Sequence, residues 1–347
     1  MEIKREDLKL LNLINMKGCY YLFISLFLWG CAGEKKQSVE YADATYKLLD
    51  DEIATTMPGT LRVAGDFLVW EDPFARDYFV RVHEKATGRQ VGAMGKVGEG
   101  PREFVTGGIN GACIDNRYFA MDINGKTRGF LSIDSLVQGK DPFVPLTDQE
   151  KASRPPMPEF AKDLYIGITD DDAEHCFEAL LHGQASSFGN YPIPQVKQYL
   201  GGEREYNASR GVFVYSCYDF PYLALYQQDE DEFSLVWEWR TDDDEYEIRN
   251  NEILFDRRVK GVRGLCMSKD FIITLQRDRR TDDTDESTVG RDASKCPRTV
   301  FLYDYDGNLV KIVDLGIPVM RIAAESKDNT LYAIGVNPDF VLVKYEL

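Results

Sequence analysis

The sequence lacks most of the motifs that indicate a catalytic or metal-binding site. It has only three histidines, no pair of cysteines spaced as in zinc or thiol–disulfide motifs, and no Gly-x-Ser-x-Gly nucleophile elbow. It also lacks the spaced acidic residues of an EF-hand calcium loop. The sequence therefore carries no catalytic signature, and the catalytic residues are predicted as none.

The few candidate metal ligands are poorly placed for a shared ion. His175 and His182 flank a predicted strand, and seven residues of extended chain separate them by roughly 23 Å. Acidic clusters are typical of solvated loops here, and they lie at 170–172, 229–232, 242–245 and 282–286. The sequence leaves the metal unknown, predicts no cofactor, and keeps Ca²⁺ only as an alternative.

Positive charge is also scarce. The chain has 41 Lys and Arg against 58 Asp and Glu, a formal net charge of −17. Nucleic-acid binding needs a basic surface, so this balance predicts no nucleic-acid partner. It also disfavours a surface that lies flat on anionic lipid, and it is typical of a soluble, acidic exterior.

An apolar run long enough to span a bilayer is missing, but a shorter one lies near the start. Met16-Lys17 is followed by the nearly uncharged stretch 19–29, which is well short of the roughly 20 residues of a transmembrane helix. It ends in Leu28-Trp29-Gly30-Cys31, which resembles the bacterial lipobox. A positive start, a short apolar core and a small residue before the cleavage point indicate an export signal.

This signal divides the chain into four predicted segments. Residues 1–15 place Glu2, Glu6 and Asp7 where a signal should begin, so we interpret them as a non-native extension ahead of Met16. The segment 16–30 is the predicted signal peptide, and 31–38 is a tether. Cys31 is the predicted lipid attachment site, which predicts a cell-envelope lipoprotein, with an outer-membrane anchor favoured by Ala32. The rest, 39–347, is the predicted folded domain.

Five cysteines follow Cys31, an odd number that cannot complete a disulfide framework. Cys113, Cys217 and Cys266 lie inside apolar strand-like runs. A free buried cysteine behaves as a small apolar side chain, so these three are predicted to pack in the core.

The folded domain reads as repeated short strands with almost no helical period. Strands of this kind, separated by Gly, Asp and Asn turns, predict an all-β fold. More than 300 residues is large for a single sandwich, whereas a propeller reaches this length by repeating four-stranded blades. We predict a six-bladed propeller with four-stranded antiparallel blades. The predicted blades are 60–107, 108–150, 160–192, 208–257, 260–316 and 318–347, with 193–207 and 278–298 as surface inserts.

A weak internal repeat supports the blade assignment. Thr87-Gly88, His182-Gly183 and Asp306-Gly307 each precede a strand that ends in Gly and Pro. The first glycine permits the positive φ of a tight hairpin turn. The last blade is one strand short, and the segment 39–49 is predicted to supply it and close the ring, which removes open sheet edges.

One loop carries a more specific motif, formed by Gly95, Gly98, Gly100, Pro101, Glu103 and Phe104. It resembles the G-x-x-G-x-G-P-x-E-F stretch of the NHL-like and TolB-like six-bladed propeller lipoproteins of Gram-negative bacteria. The stretch 188–192 (FGNYP) is similar to a second element of that group. The resemblance implies a six-bladed propeller and an exported lipoprotein, and it implies no activity. Arg102 stands where the group usually has Gly.

The same loop is not a phosphate-binding loop, because it lacks the Gly-Lys-Ser/Thr ending and follows a strand hairpin. We interpret it as an inter-blade connection in which Phe104 fills the core and Glu103 accepts backbone N–H groups.

Three functions remain open from the sequence, the third being a structural part of a cell-envelope complex. The first is a lipid-anchored, non-catalytic binding or scaffold module for a protein, peptide or glycan. The second is a lactonase-like or glycan-acting propeller enzyme with a divalent cation in its central channel. The second requires carboxylates that converge on the channel, and the candidates are Asp115, Asp122, Asp219 and Asp270.

Overall fold

The computed structural model describes residues 38–169, 174–240, 246–250 and 252–347, which form the six β-sheets of a propeller and one separate two-stranded hairpin. The predicted extension, the signal peptide and Cys31 lie outside these residues. The described chain enters through two short strands, β1 (Glu40–Asp43) and β2 (Lys47–Asp50), before the first blade begins.

Blades 1, 2 and 3 follow in order along the chain, each running from the innermost to the outermost strand. Blade 1 contains β3 (Leu61–Ala64), β4 (Phe67–Glu71), β5 (Tyr78–Glu84) and β6 (Gln90–Lys96). Blade 2 contains β7 (Gly107–Ile109), β8 (Arg117–Asp122), β9 (Arg128–Ser132) and β10 (Phe143–Pro145). Blade 3 contains β11 (Glu159–Ala161), β12 (Leu164–Ile168), β13 (Phe177–Leu181) and β14 (Gln184–Phe188). Two short helices, α1 (Ile133–Val137) and α2 (Asp148–Ser153), accompany blade 2.

Blades 4 to 6 complete the ring. Blade 4 contains β15 (Arg204–Asn207), β16 (Val212–Ser216), β17 (Tyr222–Asp229) and β18 (Glu232–Arg240), followed by a separate hairpin, β19 (Tyr246–Arg249) and β20 (Glu252–Phe255). Blade 5 contains β21 (Gly264–Met267), β22 (Ile272–Leu275), β23 (Thr299–Tyr303) and β24 (Leu309–Asp314). Blade 6 contains β25 (Val319–Ala324), β26 (Thr330–Val336) and β27 (Phe340–Glu346). The fold class is the predicted six-bladed propeller.

The ring is closed by the start of the described chain. Strand β2 pairs antiparallel with β27 and becomes the outermost strand of blade 6, as the sequence predicts for 39–49. Strand β1 adds to blade 5 as a fifth strand, parallel to β24. Each of these two outer edges is therefore covered by a strand from the other end of the described chain.

The repeated turn glycines have the backbone that the sequence predicts. Gly88, Gly183 and Gly307 have φ values of 79°, 83° and 89°, in the left-handed region that glycine enters without strain. Gly88 has a second constraint, because a Cβ there would lie 2.3 Å from the carbonyl oxygen of Leu49 in β2. The first hairpin of the ring and the closing strand therefore fit together only with glycine at this position.

One of the two predicted surface inserts belongs to a blade, which moves the start of blade 4 from 208 to 204, whereas the other lies within blade 5, between β22 and β23. The stretch 193–207 contains β15, the innermost strand of blade 4, and its Ile193, Val196 and Leu200 are buried. The stretch 278–298 contains two 3₁₀ turns, Glu286–Thr288 and Ala293–Lys295, and buries Val289. Both stretches have a polar average composition but carry single apolar residues that cover the ends of blades.

Buried side chains lie mainly between neighbouring blades. Blades 3 and 4 share an aromatic cluster, in which the ring of Phe177 lies 5.2 Å from that of Phe213 and 5.0 Å from that of Tyr215. Blades 5 and 6 share an aliphatic cluster that includes Val300 and Val343. No described helix has the length and apolarity that crossing a membrane requires.

Candidate functional site

The six innermost strands enclose a central channel. Residues of β3, β7, β11, β15, β21 and β25 line a cavity of about 670 Å³, a volume within the range of small-molecule sites. Gly111 and Glu159 form a parallel bridge across the boundary between blades 2 and 3. Polar side chains from several blades meet in this cavity, and we take it as the candidate site.

One wall of the channel carries a fixed arginine. Arg62 of β3 donates from Nη1 to Glu71 Oε2 at 2.9 Å, and Glu71 Oε1 accepts the backbone N–H of Ile109 at 2.8 Å. Burial disfavours the Arg62 cation, but the Glu71 carboxylate outweighs it, and the pKa of Arg62 is raised. Glu71 thus links blades 1 and 2 and compensates the charge of Arg62.

Another part of the channel lining carries two acidic residues and one basic residue. These are Glu203, just before β15, and Arg204 and Glu205 within it. Glu203 Oε1 accepts the hydroxyl hydrogen of Tyr218 at 2.7 Å. Burial and then Glu203 raise the pKa of Tyr218, which keeps its hydroxyl protonated as a donor. Glu203 is therefore held in place by the wall of the channel.

Glu205 is different, because its carboxylate has no hydrogen bond or ion pair with any residue that the structure describes. It is half-buried in the channel wall. Burial, followed by repulsion from Glu203, raises the pKa of Glu205 to about 7, against a smaller opposing effect of Arg62. At neutral pH this carboxyl is thus divided between its acidic and basic forms, and it can accept or release a proton.

Arg204 is the second uncompensated group. Its guanidinium stacks near two rings, with Cζ 5.9 Å from the Phe160 centroid and 6.0 Å from the Tyr199 centroid. Within the described chain it forms no ion pair. The edges of the guanidinium therefore keep donors that a ligand can use.

Blade 2 contributes a buried phenol and a thiol to the channel lining. The Tyr118 hydroxyl makes no hydrogen bond of good geometry within the described chain, and the Cys113 thiol is its polar neighbour. Burial raises the pKa of the Cys113 thiol to about 11, so this cysteine is protonated at neutral pH and is a poor nucleophile. Cys266 of β21 is likewise held in the thiol form, since burial raises its pKa well above the usual value.

The structure does not bring the four predicted channel acids together, and none of them is among the residues lining the cavity. Asp115 and Asp270 lie in exposed hairpin turns, and Asp270 accepts from Asn329 at 2.8 Å. Asp219 pairs with Lys260. These positions correct the expectation that these acids converge, because each lies at a strand end that does not face the channel.

The fourth of these acids, Asp122, is a structural acceptor at the end of β8. Its carboxylate accepts the backbone N–H groups of Val105, Thr106 and Asn124 at 2.7, 3.1 and 3.1 Å. Burial alone would favour the protonated acid, but these donors outweigh it, and the pKa of Asp122 is lowered. Asp122 therefore anchors the loop that enters blade 2.

The loop with the recognisable motif is the connection from β6 to β7. Gly95 has φ of 69°, and a Cβ there would meet the Phe79 ring at 2.2 Å. Glu103 accepts the N–H of Gly100 at 3.0 Å, and the fully buried Phe104 packs edge-on against Phe79 with a centroid distance of 5.1 Å. Gly98 and Pro101 complete this turn. The motif lies outside the channel lining and joins two blades.

Arg102, which replaces the Gly usual in the similar group, has its own structural contacts. Its Nη2 donates to Asp141 Oδ2 at 2.8 Å and to the carbonyl oxygen of Phe143 at 2.6 Å. The substitution therefore ties the loop to the outer strand of blade 2.

Metal ligands do not cluster in the part of the chain that the structure describes. No group of three or more His, Cys, Asp or Glu side chains there could hold an ion. His182 lies in the turn after β13, and His175 precedes that strand, in agreement with the separation expected from the sequence. The predicted acidic clusters at 170–172 and 242–245 lie outside the described residues.

A second cavity, of about 480 Å³, lies between blades 2 and 3. Its cation, Arg154, already donates to Glu159 at 2.8 Å, and Cζ lies 4.0 Å from the Phe119 ring centroid. Because the charge is paired and stacked, this cavity offers less to a ligand than the channel does.

The important channel residues, Arg62, Glu71, Glu203, Arg204 and Glu205, are absent from the sequence prediction. One signal could have found three of them. The turn 207–211 before β16 is polar and ends in Gly211, whose φ is 64°. Such a turn is typical of a β-hairpin, and a hairpin requires a strand on each side of its turn. That strand carries the acidic and basic side chains.

Comparisons with known proteins support the fold and leave the activity open. No protein-family model matches the chain, and no curated protein matches it. A member of the DUF4221 family from Bacteroides vulgatus has a similar structure, with a TM-score of 0.52 and 11% identity over 90% of this chain and 98% of that one. At this identity the similarity shows the fold alone.

Two other solved propellers have weaker similarity. Regucalcin from Agrobacterium tumefaciens, described as a calcium-binding protein, gives a TM-score of 0.47 and 9% identity over 89% of this chain and 95% of that one. A luciferin-regenerating enzyme gives 0.44 and 9% identity over 86% of this chain and 94% of that one. Likenesses below 0.5 establish nothing about calcium or catalysis in this chain.

Proposed function

We propose that this protein is an exported, lipid-anchored propeller that binds a small ligand in its central channel without transforming it. The observation that carries the binding role is the pair of uncompensated charges, Glu205 and Arg204, in a cavity of about 670 Å³. Charged groups that the fold leaves unpaired in an enclosed site are costly, and a complementary ligand removes that cost.

The export and anchoring part of the proposal rests on the sequence. The segment 16–30 has the parts of a signal peptide, and Cys31 follows a small residue as in a lipobox. Acylation at Cys31 would hold the propeller at the cell envelope, on the outer membrane in our proposal, because each buried methylene contributes about 0.8 kcal/mol.

The enzymatic alternative needs a divalent cation held by several oxygen ligands in the channel. Three carboxylates, Glu203, Glu205 and Glu325, line the cavity beside Arg62 and Arg204, and Glu325 is paired with Lys85. This mixed charge suits an organic ligand better than a bare cation, so binding remains the proposed function.

The lipid anchor is tested by expressing the full chain in a Gram-negative host with an alkyne-tagged palmitate. We expect incorporation into the wild type, loss of the label in Cys31→Ser, and no change in the control Cys296→Ser. Label that persists in Cys31→Ser would contradict the anchor.

Channel binding is tested by thermal melting of the detergent-solubilised full chain with trialanine, cellotriose and spermidine. A ligand that binds only the native state raises the melting temperature by mass action. We expect at least one probe to raise it in the wild type but less in Glu205→Gln, and to be recovered unchanged by mass spectrometry. Equal shifts in both proteins would place binding elsewhere.

A further inference from the structure

The two uncompensated groups of the channel have opposite charges. This inference rests on the proposed channel-binding function and specifies the ligand. We propose that the channel binds a short zwitterionic peptide, whose ammonium group pairs with Glu205 and whose carboxylate pairs with Arg204.

The ammonium position follows from the carboxylates. Glu205 lacks a partner in the described chain, and Glu203, just before β15, adds negative charge nearby. Arg62 does not fill this role, because its own charge is compensated by Glu71 at 2.9 Å. A buried charge without a partner is strongly unfavourable, so a ligand cation gains most at Glu205.

The carboxylate position follows from Arg204. Its guanidinium lies about 6 Å from the rings of Phe160 and Tyr199 and has no carboxylate partner among the described residues. A guanidinium presents two parallel N–H groups that match a carboxylate.

Simpler ligands satisfy only half of this arrangement. A plain amine leaves Arg204 uncompensated, a plain acid leaves Glu205 uncompensated, and a neutral sugar offers only uncharged hydrogen bonds, which are weaker. Arg204 and Glu205 are neighbours on β15, and successive side chains of a strand point to opposite faces. The two charges therefore point away from each other, and we propose that a short peptide, rather than one amino acid, spans them.

Proton release gives a readout that a purely structural role would not produce. Because the pKa of Glu205 is about 7, the free site is about half protonated at neutral pH. An ammonium group binds the ionised form, so each peptide bound should expel about half a proton at pH 7. A neutral ligand lacks this driving force.

The experiment is isothermal titration calorimetry of the full chain with trialanine at pH 7, in two buffers of different ionisation enthalpy. We expect saturable binding, release of about half a proton per peptide, and at least tenfold weaker binding of both N-acetyl-trialanine and trialanine amide. Glu205→Gln should weaken trialanine at least tenfold and abolish the proton release. Arg204→Gln should weaken trialanine but not the amide. The matched control, Glu247→Gln, removes an exposed carboxylate far along the chain and should change nothing.

Other results overturn the inference in distinguishable ways. Equal binding of capped and free peptides, or no binding of trialanine, overturns the peptide assignment. If cellotriose or spermidine binds and depends on Glu205, the ligand class is wrong but the channel-binding function stands. If none of the three probes binds, both the inference and the proposed binding function fail.

Discussion

Two enclosed glutamates of this propeller are treated in opposite ways by the chain around them. In the loop 276–298 of blade 5, Glu286 accepts from Arg263 Nη2 and Arg277 Nε, each at 2.9 Å, and its side chain is 2% exposed. In the channel, Glu205 accepts from no described group. The first carboxylate is fully used by the fold, and the second is left for another molecule.

The difference separates structural from functional charge. A buried ion pair holds two segments in one geometry. In this loop, Arg277 also pairs with Asp282. An unpaired charge contributes no stability to the ligand-free protein. It is tolerated because the rest of the ring fixes the strand that carries it. The comparison predicts that removing Glu286 and removing Glu205 have effects of opposite sign on stability.

The largest expected effect is that of Glu286→Ala. This change leaves Arg277, 4% exposed, without one of its partners and removes the contact between the loop and Arg263. Breaking a buried pair on one side costs about 3–5 kcal/mol, so we expect a loss of at least about 3 kcal/mol in urea unfolding. The control Glu247→Gln, in an exposed pair, should show no measurable change. A loss below about 1 kcal/mol for Glu286→Ala would mean that the loop network is not structural.

The second effect is that of Glu205→Gln, which should stabilise the protein at high pH. Because the native pKa of about 7 exceeds the unfolded value, the unfolded chain ionises first as pH rises. The contribution of Glu205 to the stability of the wild type is therefore fully present near pH 4, is lost between about pH 4.5 and 7, and stays absent above that.

Glutamine cannot ionise, so the two proteins should diverge over this window. We expect Glu205→Gln to be more stable by roughly 1–3 kcal/mol at pH 8, with little difference at pH 4.5. The measurement is the free energy of unfolding by urea at intervals across that range. Parallel curves would show that the Glu205 carboxyl titrates normally.

The sequence predicts the structural half of this comparison better than the functional half. The blade repeat, the turn glycines Gly88, Gly183 and Gly307, and closure by 39–49 all follow from local backbone rules and strand alternation. The turn rules act within a few residues, and the closure follows from counting strands per blade, so both can be read from a single chain.

The channel residues could not be predicted from such local rules. Strand β15 reads Arg-Glu-Tyr-Asn, with no apolar alternation, and a more strand-like segment, 246–255, follows blade 4. That segment forms a separate hairpin, whereas the polar β15 is the innermost strand. Innermost strands face the central channel, so polar side chains are tolerated there, and their convergence depends on which blades are neighbours in the ring.

A third, smaller effect concerns His83, near the closing strand. Its Nε2 accepts from Trp70 Nε1 at 3.1 Å, and its Nδ1 lies 2.9 Å from the Gly88 carbonyl oxygen and 3.4 Å from Asp50 in β2. Burial, with a smaller effect from Arg81, lowers the pKa of His83, although Gly88 and Asp50 oppose the shift.

The sign of the pH effect is therefore opposite to that of Glu205. The unfolded chain binds the proton first as pH falls below about 6.5, so the stability that His83 contributes is present above this pH and lost below it. We expect His83→Gln to be less stable at pH 7.5 but to lose less stability than the wild type between pH 6.5 and 5. A wild-type slope that the variant retains in full would assign the acid loss to other groups.

The smallest expected effect contrasts two buried tyrosines. The Tyr345 hydroxyl donates to the Leu315 carbonyl oxygen at 3.0 Å, whereas the Tyr118 hydroxyl in the channel lining has no good partner within the described chain. Removing a made hydrogen bond costs about 1 kcal/mol, and removing an unmade one costs nothing. We expect Tyr345→Phe to lose about 1 kcal/mol and Tyr118→Phe to stay within about 0.5 kcal/mol of the wild type.

Both variants delete one oxygen atom from a buried tyrosine, so the change in desolvation is matched. The difference between their losses of unfolding free energy therefore measures the hydrogen bond that only Tyr345 makes. Urea unfolding of the two variants at pH 7 measures it. If Tyr118→Phe loses as much as Tyr345→Phe, the Cys113 thiol or a channel water satisfies that hydroxyl. The channel would then have one unpaired group fewer, and its uncompensated polarity would reside in Glu205 and Arg204 alone.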